Sequence, residues 1–137
     1  MGKAFIAVLV GIMLIAGCAA GGRWGEGRGR NTSLVGTWER LDEQAPQYRH
    51  VKMLTPTHFV WVSYDRSNGV VVAMGGGTYD FDGRVYIEHL LFGNEALPAG
   101  LVGEDQFFTA KIAGDTWRHE GTLSNGFHVS EVWSRVE

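Results

Sequence analysis

An imidazole and a carboxylate held together in an apolar setting can exchange a proton or grip the polar head of a ligand. In this chain His119 and Glu131 are the pair best placed to do so. Trp61, Trp117 and Trp133, with Phe59 and Phe108, could wall a small-molecule site, since such sites are mostly apolar with a few converging polar groups. A different chemistry is offered by Cys18, the only cysteine, which follows Gly17 at the end of an apolar run from Phe5 to Ala16. With no other thiol, cysteine catalysis and thiolate metal sites are excluded from the chain beyond it. His50, His58, His89, His119 and His128 show no His-x-His or His-x-x-x-His spacing. His119 with Glu131 and Glu88 is the one nitrogen–oxygen set to weigh, and no metal or cofactor is expected. Gly75-Gly76-Gly77 lies between strand segments with no helix after it, so it reads as a bulge or bend and not as a phosphate loop.

The elements that must carry these residues divide the 137-residue chain in three. Residues 1–17 read as a lipoprotein signal peptide: a basic start at Lys3, an apolar run too short to span a bilayer, then small residues before a cysteine. Cleavage before Cys18 and lipid attachment to its sulfur would tether the protein to a membrane of the bacterial envelope, on the extracytoplasmic side. Residues 18–32 are rich in glycine, with Arg23, Arg28 and Arg30, and read as a flexible tether with an r.m.s. reach of roughly 20 Å. Its arginines either lie on an anionic membrane surface or merely solubilise it. The cleaved chain would carry 11 basic and 15 acidic side chains, a balance that argues against nucleic acid as a partner.

Residues 33–137 read as one all-β domain. Eight runs rich in valine, threonine and aromatics alternate with turn signals: Leu34–Arg40, Tyr48–Leu54, His58–Asp65, Val70–Met74 continuing to Phe81, Arg84–Phe92, Gln106–Ala113, Thr116–Leu123 and Phe127–Val136. Asn68-Gly69, Asp82-Gly83, Gly114-Asp115 and Asn125-Gly126 supply the positive φ angles of tight hairpins. Consecutive strands joined mainly by hairpins predict an eight-stranded up-and-down antiparallel barrel, because closure removes both exposed edges. The Gly93–Asp105 connection is the longest, and long connections often act as lids.

Turn parity places the candidate residues. A two-residue Gly114-Asp115 turn sets Ile112 opposite Trp117, Ala110 opposite His119 and Phe108 opposite Gly121. A two-residue turn at Asn125-Gly126 would mix polar and apolar faces. A three-residue Ser124-Asn125-Gly126 loop pairs Leu123 with Phe127 and Trp117 with Trp133, and register follows the buried face. The inward row then comprises Phe108, Ala110, Ile112, Trp117, His119, Leu123, Phe127, Val129, Glu131, Trp133 and Arg135, with His119 directly opposite Glu131. Either this pair anchors a ligand head group or it is a self-satisfied buried pair that fixes register.

Gly36-Thr37-Trp38 resembles the lipocalin Gly-x-Trp, and Arg135 resembles the arginine that packs across that tryptophan in calycins. The run Thr55–Trp61, Gly75–Tyr79, Tyr86-Ile87-Glu88 and Glu131–Arg135 together resemble a lipocalin-like (calycin) family of uncharacterised bacterial secreted proteins and lipoproteins. The resemblance implies a small barrel with a central cavity, a structural role for Trp38 and Arg135 at its base, and Tyr86 and Glu88 facing inward. From the residues alone the face of Tyr86 and Glu88 stays open, since Val85, Ile87 and Leu91 make an equally good core row. The reading that results is a membrane-anchored barrel binding a small, partly apolar or amphipathic ligand through Phe59, Trp61, Tyr86, Glu88, Phe108, Trp117, His119, Glu131 and Trp133. The alternatives are a small-barrel enzyme of isomerase or cyclase type using His119 and Glu131, and an envelope interaction module whose barrel is filled by its own side chains.

Overall fold

The computed structural model describes residues 33–136. The expected signal peptide, Cys18 and the tether lie outside the described residues. Eight strands follow one another: β1 (Gly36–Leu41), β2 (Tyr48–Leu54), β3 (His58–Asp65), β4 (Val71–Phe81), β5 (Val85–Gly93), β6 (Asp105–Ala113), β7 (Thr116–Thr122) and β8 (His128–Arg135). Each pairs antiparallel with the next, and β1 pairs with β8 to close the barrel. The expected architecture is therefore the observed one.

The turns work as their residues dictate. Gly69, Gly83, Gly114 and Gly126 all have positive φ. The side chains before them satisfy the tight backbone: the Asp82 carboxylate accepts from the Arg84 and Val85 amides, and the Asn125 side-chain oxygen accepts from the Phe127 amide. The three-residue loop is present. The Leu123 amide donates to the Phe127 carbonyl, and the register below it runs Trp117↔Trp133 and His119↔Glu131. Phe127 is a correction, because it is exposed and does not join the inward row. It lies in the loop just before β8, whose seam with β1 registers only Trp38↔Arg135 and Glu39↔Ser134 at the far end of the strand.

Gly75-Gly76-Gly77 does mark an irregularity: the β4–β5 register shifts between Gly76 and Gly77. The two strands pass so closely that a Cβ on Gly77 would clash with the His89 carbonyl oxygen. Both barrel ends are treated differently. At the base Leu34 is buried, the Trp38 indole donates to its carbonyl at 2.8 Å, and Arg135 donates to the Ser33 and Val35 carbonyls. At the other end the Gly93–Asp105 connection is a plug and not a loose flap. Leu101 is buried in the core, the Gly103 amide donates to the Leu90 carbonyl, and Leu97 packs beside them. The narrow mouth that remains lies beside Arg40 of β1, His50 of β2, Ser63 of β3 and Glu131 of β8.

Candidate functional site

Strand alternation sends one row of each strand into the barrel. All nine expected site residues, Phe59, Trp61, Tyr86, Glu88, Phe108, Trp117, His119, Glu131 and Trp133, lie on those inner rows and are buried. Tyr86 and Glu88 do face inward, leaving Val85 and Ile87 on the outer side. Trp38 and Arg135 form the base, with the guanidinium carbon 4.1 Å from the indole centroid.

The interior holds two polar clusters among the rings. In the first, Lys52 Nζ lies 2.5 Å from Glu88 Oε1, which also accepts from the Tyr86 hydroxyl at 2.9 Å. The ammonium is boxed by Phe59, Tyr86, Trp117 and Trp133, with ring centroids 5.2 to 5.6 Å away. Lys52 thus occupies the centre that a ligand cation would take. In the second, Glu131 Oε2 accepts from His119 Nε2 at 2.7 Å and from the Trp133 indole at 3.0 Å, while Arg40 reaches Oε1 at 3.5 Å. The His119 ring stacks on Phe108 with centroids 4.5 Å apart.

These contacts set the protonation states. Burial pushes His119 down, and the Glu131 carboxylate does not fully offset it. Burial alone would raise Glu131. The hydrogen bond from His119, together with the Arg40 and Lys52 charges, outweighs it and brings Glu131 to about 2. A charged Glu131 receiving the Nε2–H of a neutral His119 satisfies both, and the buried His119 Nδ1 is then an acceptor with no partner. His119 is therefore oriented as a donor to Glu131, with its other nitrogen buried.

Sequence reasoning missed Arg40, His50, Lys52 and Ser63, which complete the site. His50 and Lys52 point inward while Val51 and Met53 face out, the reverse of what hydrophobic alternation along β2 would choose. The register Trp38↔Lys52↔Trp61 explains it: Lys52 shares the inner row with the tryptophans of both neighbouring strands. The polar-apolar alternation of Tyr48–Leu54 was the available signal, but it carries no mark of which row is inside.

The barrel interior is packed. A gap of about 10 Å³, room for a single water, lies between Arg40, His50, Lys52, Ser63 and Glu131, with Trp61 and Trp133 as walls. His50 Nδ1 lies 2.5 Å from Ser63 Oγ, while its Nε2 is buried without a partner, as is Arg40 Nε. Burial, then the Arg40 charge, lowers His50 to about 4, so the ring is neutral. Among the described residues no three histidine, aspartate or glutamate side chains are arranged to hold a metal ion. No family model matches the chain, and no curated protein or solved structure matches it either.

Proposed function

We propose that the chain is a lipid-anchored, lipocalin-like lipoprotein that takes the polar head group of a small amphipathic ligand at the open end of its barrel. One observation carries the reading: two buried nitrogens without partners, His50 Nε2 and Arg40 Nε, on residues that line an interior gap. Such groups cost about 1–3 kcal/mol each when left unpaired. A ligand oxygen entering the gap would relieve both. The body of the ligand stays outside, because Lys52 and the surrounding rings fill the space beneath. Exposed Leu41, Val70, Val71 and Phe127, on segments that end at this rim, offer it apolar surface.

The packed interior favours a second reading, an interaction module whose barrel never opens. Native mass spectrometry of the full chain purified from its own host separates the two. A co-purifying small molecule that is lost in Arg40→Gln and in His50→Gln supports the head-group site. A bare chain, or a ligand that survives both substitutions, sinks it.

A further inference from the structure

The outer face of β6–β8 carries a groove of about 740 Å³, bounded by the β4–β5 turn. That volume is in the range of small-molecule sites, about 300–1,000 Å³. Three cations, Arg84, Lys111 and Arg118, line it. Lys111 and Arg118 stand directly opposite each other on β6 and β7. Like charges so placed repel across about 5.5 Å and weaken the sheet. Glu120 lines the groove as well, but none of the three cations forms an ion pair with it. Among the described residues no carboxylate lies within 4.0 Å of any of the three cations. Glu120 is turned towards His128 at 3.2 Å, and Glu131 points its carboxylate into the barrel. The chain as a whole carries a net charge of −3, so the groove is a local concentration of positive charge on an acidic protein.

Among the described residues the other cations are committed or solitary. Arg49 is tied to Glu39, Arg40 and Lys52 to interior carboxylates, and Arg135 lies on Trp38. Arg66 stands alone at the β3–β4 turn, at the opposite end from the β4–β5 turn. We infer that the groove is a docking surface for the phosphates of anionic lipid headgroups. Charge complementarity selects an anion. The 32 residues before Ser33, with their apolar run and Cys18, select a lipid, since they would hold this barrel beside a bilayer. The inference rests on the membrane-anchor part of the proposed function and is independent of the head-group site in the barrel mouth.

Co-flotation of the full chain with vesicles tests it, comparing pure phosphatidylcholine with phosphatidylcholine containing phosphatidylglycerol. Attachment through the apolar run or a lipid raises both arms alike, and Arg23, Arg28 and Arg30 favour the anionic arm equally in the native chain and its variants, so the change in the ratio on substitution reports the groove. Each basic side chain at an anionic surface is worth about fivefold in partitioning at low salt. Lys111→Gln/Arg118→Gln is therefore expected to lower the ratio by about 25-fold, high salt to erase it, and Arg66→Gln to leave it unchanged. Both groove residues are exposed, and relieving their repulsion should keep or raise stability, so the variant folds. Equal partitioning of the native chain, no fall in the double variant, or an equal fall in Arg66→Gln overturns the inference. Saturable binding of soluble glycerol phosphate without a vesicle preference does so too, assigning the groove to a free phosphate. A Cys18→Ser chain that stays on membranes in cells counts against the anchor, whereas the vesicle ratio alone judges the groove.

Discussion

Glu131 is the residue on which most of the interior depends. It accepts from His119 and Trp133 and balances Arg40, so its neutral replacement leaves donors and a charge without their partner. Breaking a buried pair in this way typically costs about 3–5 kcal/mol. Glu131→Gln is expected to lower the urea midpoint accordingly, and His119→Ala/Glu131→Gln to cost less than the two single changes added together. Additive and near-zero effects would remove the pair from the account of stability. Acid sensitivity follows from the same groups. His50 falls from 6.5 to about 4 on folding, so between those values the unfolded chain binds the extra proton and stability drops as pH falls. Glu131 repeats this from 4.5 to about 2, with the same sign. His119 is lowered too and adds to the upper part of the slope. His89 has the opposite sign: its pKa is raised by Asp80 and Asp105, and its contribution is lost as pH rises through that raised value. Denaturation measured from pH 7 to pH 3 should show stability declining from about pH 6.5, with His50→Gln flattening the segment down to about pH 4. A wild-type curve flat across that segment would contradict the burial of a neutral His50.

At the level of elements, β4 is where backbone approach replaces side-chain packing. Gly75 lets Trp61 and Leu90 close over the strand, and Gly77 passes His89 and Leu91 with no room for a Cβ. The register shift between Gly76 and Gly77 lets β4 follow the curvature of the barrel while β3 and β5 stay paired to it. Gly77→Ala sets a methyl group against backbone, which cannot yield as a flexible side chain could. A loss of about 3 kcal/mol or more is expected, near the upper end for overpacking, read as a lower thermal midpoint or as insoluble protein. A normally stable Gly77→Ala protein would mean that the strand can slide its register. β2 is the other informative element. Its apolar residues Val51 and Met53 face outward because the inner row is claimed by Lys52 between Trp38 and Trp61. The energy lost by exposing Met53 is small beside that of placing the tryptophan rows in water.

For the whole molecule, a barrel of this size is filled by side chains, and here charge must balance inside it. Arg40 and Lys52 face Glu88 and Glu131, while the lowered His50 and His119 are neutral. The described barrel begins with Ser33 at the base, the end opposite the mouth. Lipid on Cys18 would then tether the protein at its closed end. Cys18→Ser is expected to release the chain from the membrane fraction or to leave it unprocessed, checked by fractionation and by labelling with a radioactive fatty acid. Unchanged labelling and unchanged sedimentation with membranes would end the lipoprotein reading.

The strands, their turns and the His119–Glu131 pairing were legible in the sequence because each rests on local information. Asp-Gly and Asn-Gly turns have few solutions, and the parity of one three-residue loop decides which residues of β7 and β8 share a face. The nine inward residues named from the sequence follow from that parity, from alternation and from the family resemblance. Tertiary structure alone decided what lies between them. A strand of alternating polar and apolar residues such as Tyr48–Leu54 has two equivalent faces until its neighbours choose one, so Lys52 and His50 could not be placed inside from the sequence. Whether a barrel keeps a cavity depends on how side chains from all eight strands interlock, a non-local sum that no single segment carries. Here that sum leaves a water-sized gap beneath the mouth, with two unpartnered nitrogens beside it, and a larger groove on the outer wall where cations from separate elements meet.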